Sequence, residues 1–218
     1  MIELRGVEKI YRRGAEELHA LRGVDLSIGK GELISIVGPS GAGKSSLLHI
    51  LGCLDRPSRG VVTFDGMNME SMSERGLDDI RRRKIGFVFQ QFYLMPGLSV
   101  FDNVTLPWIF SRKKSGRKRA EALIETVGLR DRSAHFPNQL SGGEMQRAAI
   151  ARALVNDPEM VLADEPTGNL DSENSEKIFQ LLRSLNKDGY TIVMVTHNNE
   201  LAGRADRVIS IRDGRIEH

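Results

Sequence analysis

An eight-residue glycine loop constrains this chain more than any other feature of its sequence. The stretch Gly38-Pro39-Ser40-Gly41-Ala42-Gly43-Lys44-Ser45 fits the pattern G-x-x-x-x-G-K-[ST]. An apolar, β-branched run at residues 33–37 precedes the loop, and residues 46–51 after it read as a helix start. In the order strand, loop, helix, the loop amides and the helix dipole attract phosphate oxygens. The alternative is a glycine-rich turn that binds nothing, but a Lys-Ser pair at this spacing favours a phosphate site.

Within such a loop, individual side chains have expected partners. Lys44 is expected to reach the β- and γ-phosphates of a nucleoside triphosphate, and the Ser45 hydroxyl to ligate Mg²⁺. The glycines allow backbone N–H groups to close around phosphate oxygens. The predicted nucleotide contacts of this stretch are Gly38, Pro39, Ser40, Gly41, Ala42, Gly43, Lys44, Ser45 and Ser46.

The composition is that of a globular chain able to bury a full core. Of its 218 residues, 40% are hydrophobic and 28% are charged. A formal net charge of +2 argues against a dedicated nucleic-acid binder, which usually carries a larger basic excess. The single cysteine, Cys53, rules out an internal disulfide, and a small buried thiol is expected there. No apolar run approaches the ~20 residues of a membrane span, so a membrane role requires a partner.

Strand and helix signals alternate along the chain and predict an α/β fold with a mostly parallel central sheet. Residues 1–30 read as short strands, and a small antiparallel sheet is expected to include residues 61–64. The chain is expected to form one domain, 1–218. Its catalytic core with the β subdomain comprises 1–90 and 156–218, and a helical subdomain is inserted at 91–155.

Polar side chains follow several of the predicted parallel strands. Gln90 ends one strand, Asp164 and Glu165 end the next, and His197 follows a third. Ligands of an open parallel sheet lie outside the carboxyl ends of its strands, so these side chains are expected near the glycine loop. Glu165 is assigned as general base for an attacking water, and Asp164 as a ligand of Mg²⁺.

Gln90 and His197 have less specific signals. Gln90 is expected to ligate the metal or orient water, and His197 to donate a hydrogen bond to the γ-phosphate. Each assignment has an alternative: Asp164 and Glu165 could form a structural salt bridge, Gln90 could be a satisfied amide at a strand end, and His197 could be an ordinary histidine without a role. Their common place at strand ends favours the functional interpretation.

A second anion site is indicated by Ser141-Gly142-Gly143-Glu144, here called the signature residues. Ser141 and Glu144 have capping-box spacing, which predicts a helix that runs to about Leu154. Two glycines in a first helical turn cost roughly 1 kcal/mol each relative to alanine, which indicates close approach of another group. If this helix start does not meet the glycine loop within one chain, a two-fold dimer could bring the two together.

In this order, the glycine loop, Gln90, the signature residues, Asp164-Glu165, Asn169-Leu170-Asp171 and His197 resemble the nucleotide-binding subunit of ABC transporters. The resemblance implies a P-loop ATPase that hydrolyses ATP as a head-to-tail homodimer with two ATP molecules at its interface. Ser141, Gly142 and Gly143 of one subunit are then expected on the nucleotide of the other. Asp171 then belongs to the loop that communicates between the two ATP sites, and Tyr11 matches the aromatic residue that stacks on adenine. A half-buried strand tyrosine is the alternative for Tyr11.

The stretches around Gln90 and Asp164 are also similar to one subgroup, which serves lipoprotein release, macrolide-type efflux and cell division. The resemblance implies an integral membrane subunit as partner, contacted by Phe92, Tyr93 and Leu94, and a peripheral place on the cytoplasmic face of the inner membrane. The chain departs from the family pattern at Asn198 and Glu144. The resemblance is closest to the lipoprotein-releasing system.

Three functions compete. The first is an ATPase that drives lipoprotein release or macrolide-type export, and the second is a regulatory ATPase of the cell-division type that moves no cargo. The third, a soluble DNA-repair or chromosome ATPase, predicts a long inserted coiled coil, and no sustained heptads are present. Basic runs at residues 81–84 and 112–119 are interpreted as solvated surfaces, with attraction to anionic headgroups as the weaker hypothesis.

Overall fold

A six-stranded sheet lies at the centre of the fold in the computed structural model, which describes residues 1–14, 16–110 and 116–217. The predicted basic residues Arg112, Lys113 and Lys114 lie outside these ranges. The strand order is β10-β9-β3-β8-β7-β6, and the five strands from β9 to β6 are parallel. Their bounds are β3 Leu33–Val37, β6 Ile85–Phe89, β7 Met160–Asp164, β8 Thr191–Val195, β9 Arg207–Arg212 and β10 Arg215–Glu217.

The central strands are apolar because both of their faces are covered. All five residues of β8 are buried, as are the first four of β3 and of β7. One face packs with α1, Lys44–Leu51, and the other with α6, Ser172–Lys187. The predicted α/β fold with a mostly parallel central sheet is confirmed.

A second, antiparallel sheet has the order β2-β1-β4-β5. The expectation of short strands at residues 1–30 was wrong, since β1, Ile2–Arg13, and β2, Glu16–Ile28, form one long hairpin of 12 and 13 residues. Irregular pairing between Leu4 and Val7 includes Gly6 at φ 56°, so glycines there bulge the ladder instead of ending it. The remaining strands are β4, Arg59–Phe64, and β5, Met67–Asn68.

Three helices between β6 and β7 form the helical part of the chain: α3, Val100–Ile109, α4, Gly116–Thr126, and α5, Gly142–Leu154. Their buried residues share one hydrophobic cluster with a face of the central sheet. The limits of the proposed subdomain at 91 and 155 stay a prediction. The other helices are α2, Glu74–Lys84, which the sequence patterns did not indicate, and α7, Asn199–Ala202.

The helices are also informative about membrane insertion. Within residues 1–14, 16–110 and 116–217, none of them has both the length and the apolar character needed to cross a bilayer.

Candidate nucleotide site

A cavity of about 360 Å³ opens at the carboxyl end of β3, between the glycine loop and the ends of neighbouring strands. Its volume lies within the ordinary range of small-molecule sites. The residues that line it are Tyr11, Leu18, His19, Ala20, Ser40, Gly41, Gly43, Lys44, Ser45, Ser46, Asp164, Glu165 and Val195. The structure thus brings the predicted loop together with both predicted carboxylates and Tyr11.

The shape of the glycine loop depends on close backbone packing at two glycines. A Cβ atom on Gly38, whose φ is 152°, would lie 2.0 Å from the carbonyl oxygen of Ile211 in β9. A Cβ atom on Gly43, whose φ is 106°, would lie 2.3 Å from the carbonyl oxygen of Ala20 in β2. The loop therefore lies directly against two other strands, and no side chain fits at either position.

The C-terminal hairpin supports the same loop, which the sequence patterns did not indicate. The Gly214 amide donates to the Ala42 carbonyl oxygen at 2.9 Å, and the Arg22 amide donates to the Gly214 carbonyl oxygen at 2.8 Å. Asp213-Gly214 is recognisable in the sequence as a hairpin turn, but its contact with residue 42 depends on the order of the strands.

Lys44 stands at the start of α1, where its ammonium is held by its own loop. Its Nζ atom donates to the carbonyl oxygens of Gly38 at 2.8 Å and of Pro39 at 2.9 Å. The N-cap of this helix is Gly43, which has no side chain to accept hydrogen bonds from the first turn. The positive end of the helix and the ammonium of Lys44 both favour an anion in the cavity.

The carboxylates reach the cavity through the register of the parallel strands. Asp164 pairs with Phe89 on one side and with Val195 on the other, so three strands end at one level. Glu165 follows at φ 48°, and its amide donates to the Val195 carbonyl oxygen at 3.0 Å. A left-handed backbone at a non-glycine residue costs of order 1–3 kcal/mol, and it points to a functional constraint at Glu165.

Asp164 has the more perturbed carboxyl group. Burial raises its pKa, and the neighbouring Glu165 carboxylate raises it further, whereas His49 and Lys44 act in the opposite direction. A bound cation would stabilise the ionised form. The Ser45 hydroxyl and the Asp164 carboxylate are both hard oxygen ligands in one cavity, so the donors present fit Mg²⁺ completed by water and phosphate oxygens.

Glu165 and His197 are in direct contact. The His197 Nδ1 atom lies 2.7 Å from the Glu165 Oε2 atom, and the His197 amide donates to the same oxygen at 3.3 Å. The Glu165 side chain is 18% exposed and that of His197 is 68% exposed. His197 does not line the cavity, and its ring contacts the Glu165 carboxylate instead.

Gln90 does not line the cavity. Its Nε2 atom donates to Asn169 Oδ1 at 3.2 Å, and Asn169 Nδ2 donates to the Gln90 carbonyl oxygen at 3.1 Å. A satisfied amide at a strand end therefore describes Gln90 in this structure. Its role toward metal or water stays a prediction.

Tyr11 lies at the edge of the cavity and is held by two charged side chains. Its hydroxyl donates to Asp55 Oδ2 at 3.0 Å, and Lys9 Nζ lies 4.9 Å from the ring centroid. Lys9 and Asp55 are paired at 2.6 Å. Burial raises the pKa of Tyr11 above its ordinary value of 10.0. A fixed aromatic ring beside a phosphate loop is suited to stacking on a base.

The signature residues do not line this cavity. Ser141 caps α5 in a capping box with Glu144, as the spacing predicts, and the helix ends at Leu154. A Cβ atom on Gly143 would lie 2.6 Å from Asn174 Oδ1, so the start of α5 packs against α6. Asp171 is the N-cap of α6, and both of its carboxylate oxygens accept hydrogen bonds from Asn174.

Four lining residues were missed by sequence reasoning: Leu18, His19 and Ala20 of β2, and Val195 of β8. Leu18 is 66% exposed, which is unusual for a leucine in a strand, but no local pattern distinguishes it from any hairpin residue. A larger cleft of about 460 Å³ lies at the amino ends of β7 and β8, lined by Lys30, Glu159 and Thr191 among others. Lys30 and Glu159 are already paired there at 3.0 Å, and this cleft has no glycine loop.

A phosphate loop lies between a buried strand and a helix, and an Asp-Glu pair ends β7, two strands away in the same sheet. This combination defines a P-loop nucleoside triphosphatase. The ABC transporter family matches residues 21–168 of this chain.

Curated relatives match along the whole chain. An uncharacterized ABC transporter ATP-binding protein of Thermotoga maritima is 52% identical over 219 residues, which cover 100% of this chain and 94% of that protein. The macrolide export ATP-binding/permease protein MacB of Chlorobaculum tepidum is 52% identical over 217 residues, which cover 99% of this chain and 33% of MacB. The chain thus spans about a third of the length of that relative.

Solved structures agree in fold. The dimeric structure of MJ0796, a bacterial ABC transporter cassette, has a TM-score of 0.91 at 49% identity and covers 100% of this chain and 97% of that one. A post-hydrolysis state of MJ0796 bound to ADP and Pi has a TM-score of 0.91 at 48% identity, with the same coverage. The chain belongs to the ABC transporter family and is an ATP-binding and ATP-hydrolysing subunit of that family.

Proposed function

We propose that this protein is the ATPase subunit of a membrane exporter and that it works as a homodimer with two ATP-Mg²⁺ at its interface. The observation that carries the proposal is the cavity in which the phosphate loop faces Asp164 and Glu165. MacB relatives, in which a chain like this is a third of an ATP-binding/permease protein, support a membrane partner.

The chain's own residues have distinct tasks in this scheme. Lys44 exchanges the carbonyl oxygens of its loop for phosphate oxygens, and the loop amides orient the phosphates. Ser45 and Asp164 would hold Mg²⁺, which supplies charge neutralisation to the phosphates. Glu165 accepts a proton from the attacking water, and His197 holds the Glu165 carboxylate in place. Tyr11 stacks on the adenine.

The dimer follows from the place of the signature residues. Ser141, Gly142 and Gly143 form a capped helix start outside the cavity of their own chain. A head-to-tail pair places this helix start on the nucleotide held by Lys44 of the partner subunit, where Asp171 also approaches the interface. Such a site is complete in the dimer and incomplete in one chain.

The membrane partner is expected at residues 92–95, here called the docking segment. Tyr93 is 61% exposed and Met95 is 52% exposed, so two large apolar side chains project from an irregular stretch between β6 and α3. Phe92 and Leu94 complete the segment. Docking there places the protein at the cytoplasmic face of the inner membrane.

The transported molecule is proposed at the level of class. Similarity to MacB over the whole chain favours macrolide-type export, and lipoprotein release is the related possibility within the same subgroup. A regulatory ATPase of the cell-division type shares every residue of the site, and its distinguishing feature is the partner.

The test uses the variant Glu165→Gln, which keeps the shape of the side chain and removes its basicity. We expect ATP to bind, hydrolysis to fall about 10²- to 10⁴-fold, and an ATP-dependent dimer to accumulate in light scattering. Glu173→Gln, an exposed change on α6, is the matched control and is expected to hydrolyse ATP normally.

Membranes from cells that contain tagged Glu165→Gln protein, extracted with ATP, then identify the partner. Copurification of a membrane protein with an export partner supports the proposal, and division proteins would assign the regulatory function instead. Near-normal hydrolysis by Glu165→Gln removes Glu165 from its role, and a monomer in saturating ATP contradicts the dimer.

A further inference from the structure

The backbone of the docking segment is held by side chains and not by secondary structure. Ten residues, 90–99, separate β6 from α3, and none of them belongs to a helix or strand. Buried carbonyl groups in such a stretch need hydrogen-bond donors from elsewhere. Two side chains of the helical part supply them.

Arg152, in the last turn of α5, is the first of these side chains. Its Nη2 atom donates to the Phe92 carbonyl oxygen at 2.8 Å, and its Nη1 atom donates to the Tyr93 carbonyl oxygen at 2.5 Å. One planar guanidinium thus binds two successive carbonyl groups.

The guanidinium of Arg152 is bonded to carbonyl oxygens. Among residues 1–14, 16–110 and 116–217, Arg152 takes part in no ion pair within 4.0 Å, and burial lowers its pKa. A half-buried cation whose hydrogen bonds go to carbonyl oxygens gains little from charge pairing, so its contribution lies in the backbone that it fixes.

The backbone that Arg152 fixes is strained. Tyr93 has φ 47°, in the left-handed region, although its side chain is largely exposed. Its ring meets Phe89 edge-on at 5.5 Å, which points the rest of the ring outward. A strained residue of this kind persists only where its surroundings hold it.

The second side chain is the buried Asn103 of α3, which fixes the other end of the segment. Its Oδ1 atom accepts from the Met95 amide at 2.7 Å, and its Nδ2 atom donates to the Met95 carbonyl oxygen at 3.2 Å. Met95 is therefore tied to α3, whereas Phe92 and Tyr93 are tied to α5. Only α5 begins at the signature residues.

We propose that Arg152 is a positioning residue, which presents the docking segment in its strained conformation and transmits the position of that segment to the signature end of α5. This inference rests on the proposed function, because it takes residues 92–95 as the docking segment and Ser141 as a nucleotide contact of the partner subunit. A shift of the Phe92 and Tyr93 carbonyls then moves a rigid helix whose other end reaches the second ATP.

The test compares Arg152→Lys and Arg152→Ala with matched changes at Arg119. Arg119 of α4 also donates to a backbone carbonyl, that of Leu154, through Nε at 3.3 Å and Nη2 at 3.2 Å, and it does not touch the docking segment. Lysine keeps the charge but lacks the planar fork. We expect amide exchange at residues 92–95 to rise at least 10-fold in both Arg152 variants and to stay at the wild-type rate in both Arg119 variants.

ATP hydrolysis supplies the second measurement. In Arg152→Lys we expect kcat to fall about 10-fold with an unchanged KM for ATP, because the cavity is intact while the signature helix is misplaced. Arg119→Lys, compared with Arg152→Lys at equal melting temperature, is expected to keep the wild-type kcat.

Unchanged exchange at residues 92–95 in Arg152→Ala would overturn the proposal, and so would a wild-type kcat in a variant whose exchange has risen. A fall of kcat to the same extent in Arg119→Lys also overturns it, since both changes would then act through stability. Failure of the proposed function is seen separately, as wild-type protein that neither hydrolyses ATP nor dimerises with it.

Discussion

His197 Nδ1 lies 2.7 Å from Glu165 Oε2, across the ends of the neighbouring strands β8 and β7. The contact indicates that the imidazole orients the Glu165 carboxylate, a role that the position of His197 at a strand end did not specify. It fixes the Glu165 carboxylate, whose backbone is left-handed, and it leaves His197 largely exposed.

Replacement of His197 by alanine should therefore damage turnover more than binding. We expect kcat to fall about 10²- to 10³-fold, with the KM for ATP within about threefold of wild type, because the carboxylate loses its orientation while the loop is untouched. Steady-state kinetics check this, with His135→Ala in the helical part as control. A kcat within threefold of wild type contradicts a role for the pair.

Replacement of Lys44 by alanine should act on binding itself. The ammonium now bound to the Gly38 and Pro39 carbonyl oxygens belongs to a lysine that lines the cavity. Loss of a charge-assisted contact corresponds to about a 10- to 100-fold rise in the Kd for ATP. Calorimetric titration measures this, and Lys177→Ala on α6 serves as control. Equal ATP affinity in the two variants would be incompatible with the assignment of the loop.

The two glycines 38 and 41 should differ in their tolerance of alanine. A Cβ atom on Gly38 meets a backbone carbonyl at 2.0 Å, whereas one on Gly41 meets no atom within 4 Å. Gly41 has φ 78°, so alanine there carries backbone strain alone, about 1 kcal/mol. We expect Gly38→Ala to lower the free energy of unfolding by about 3 kcal/mol or more. Urea unfolding of both variants gives the comparison, and equal losses would refute the close packing of the loop on β9.

The ion pair of Glu176 and Arg204 should make stability depend on acidity. Hydrogen bonds from Arg204 and then Gln180 hold the pKa of Glu176 at about 2, below its ordinary value of 4.5. Because the pKa is lower in the folded state, the pair stabilises fully above about pH 4.5 and loses its effect as the pH falls toward 2.

Urea unfolding at pH 7 and at about pH 3, which lies between the two pKa values, tests this dependence. The wild type should lose more stability between these values than Glu176→Gln does. Arg204→Met should resemble Glu176→Gln, and the double variant should show no additional loss of pH dependence. Identical pH dependence in wild type and Glu176→Gln would show that the pair contributes nothing.

The burial of Cys53 is a feature that the sequence alone predicts correctly. Its place after an apolar helix face indicates a buried thiol, and the structure confirms this: the residue is 2% exposed, and burial raises its pKa to about 11. The capping box of Ser141 and Glu144 and the turn at Asp213-Gly214 were predictable for the same reason. In each case the signal and the structure that it specifies lie within a few residues.

The sequence by itself determined the class of fold, the phosphate loop and the strand ends that carry Asp164 and Glu165, because strand, turn and helix propensities act locally and parallel strands end at one edge. Tertiary structure alone decided which side chains meet: His197 on Glu165, Gln90 on Asn169, Gly214 beneath residue 42 and Arg152 on the docking segment. These contacts join residues between 32 and 172 positions apart. Their geometry follows from sheet order and helix packing, which no local pattern encodes.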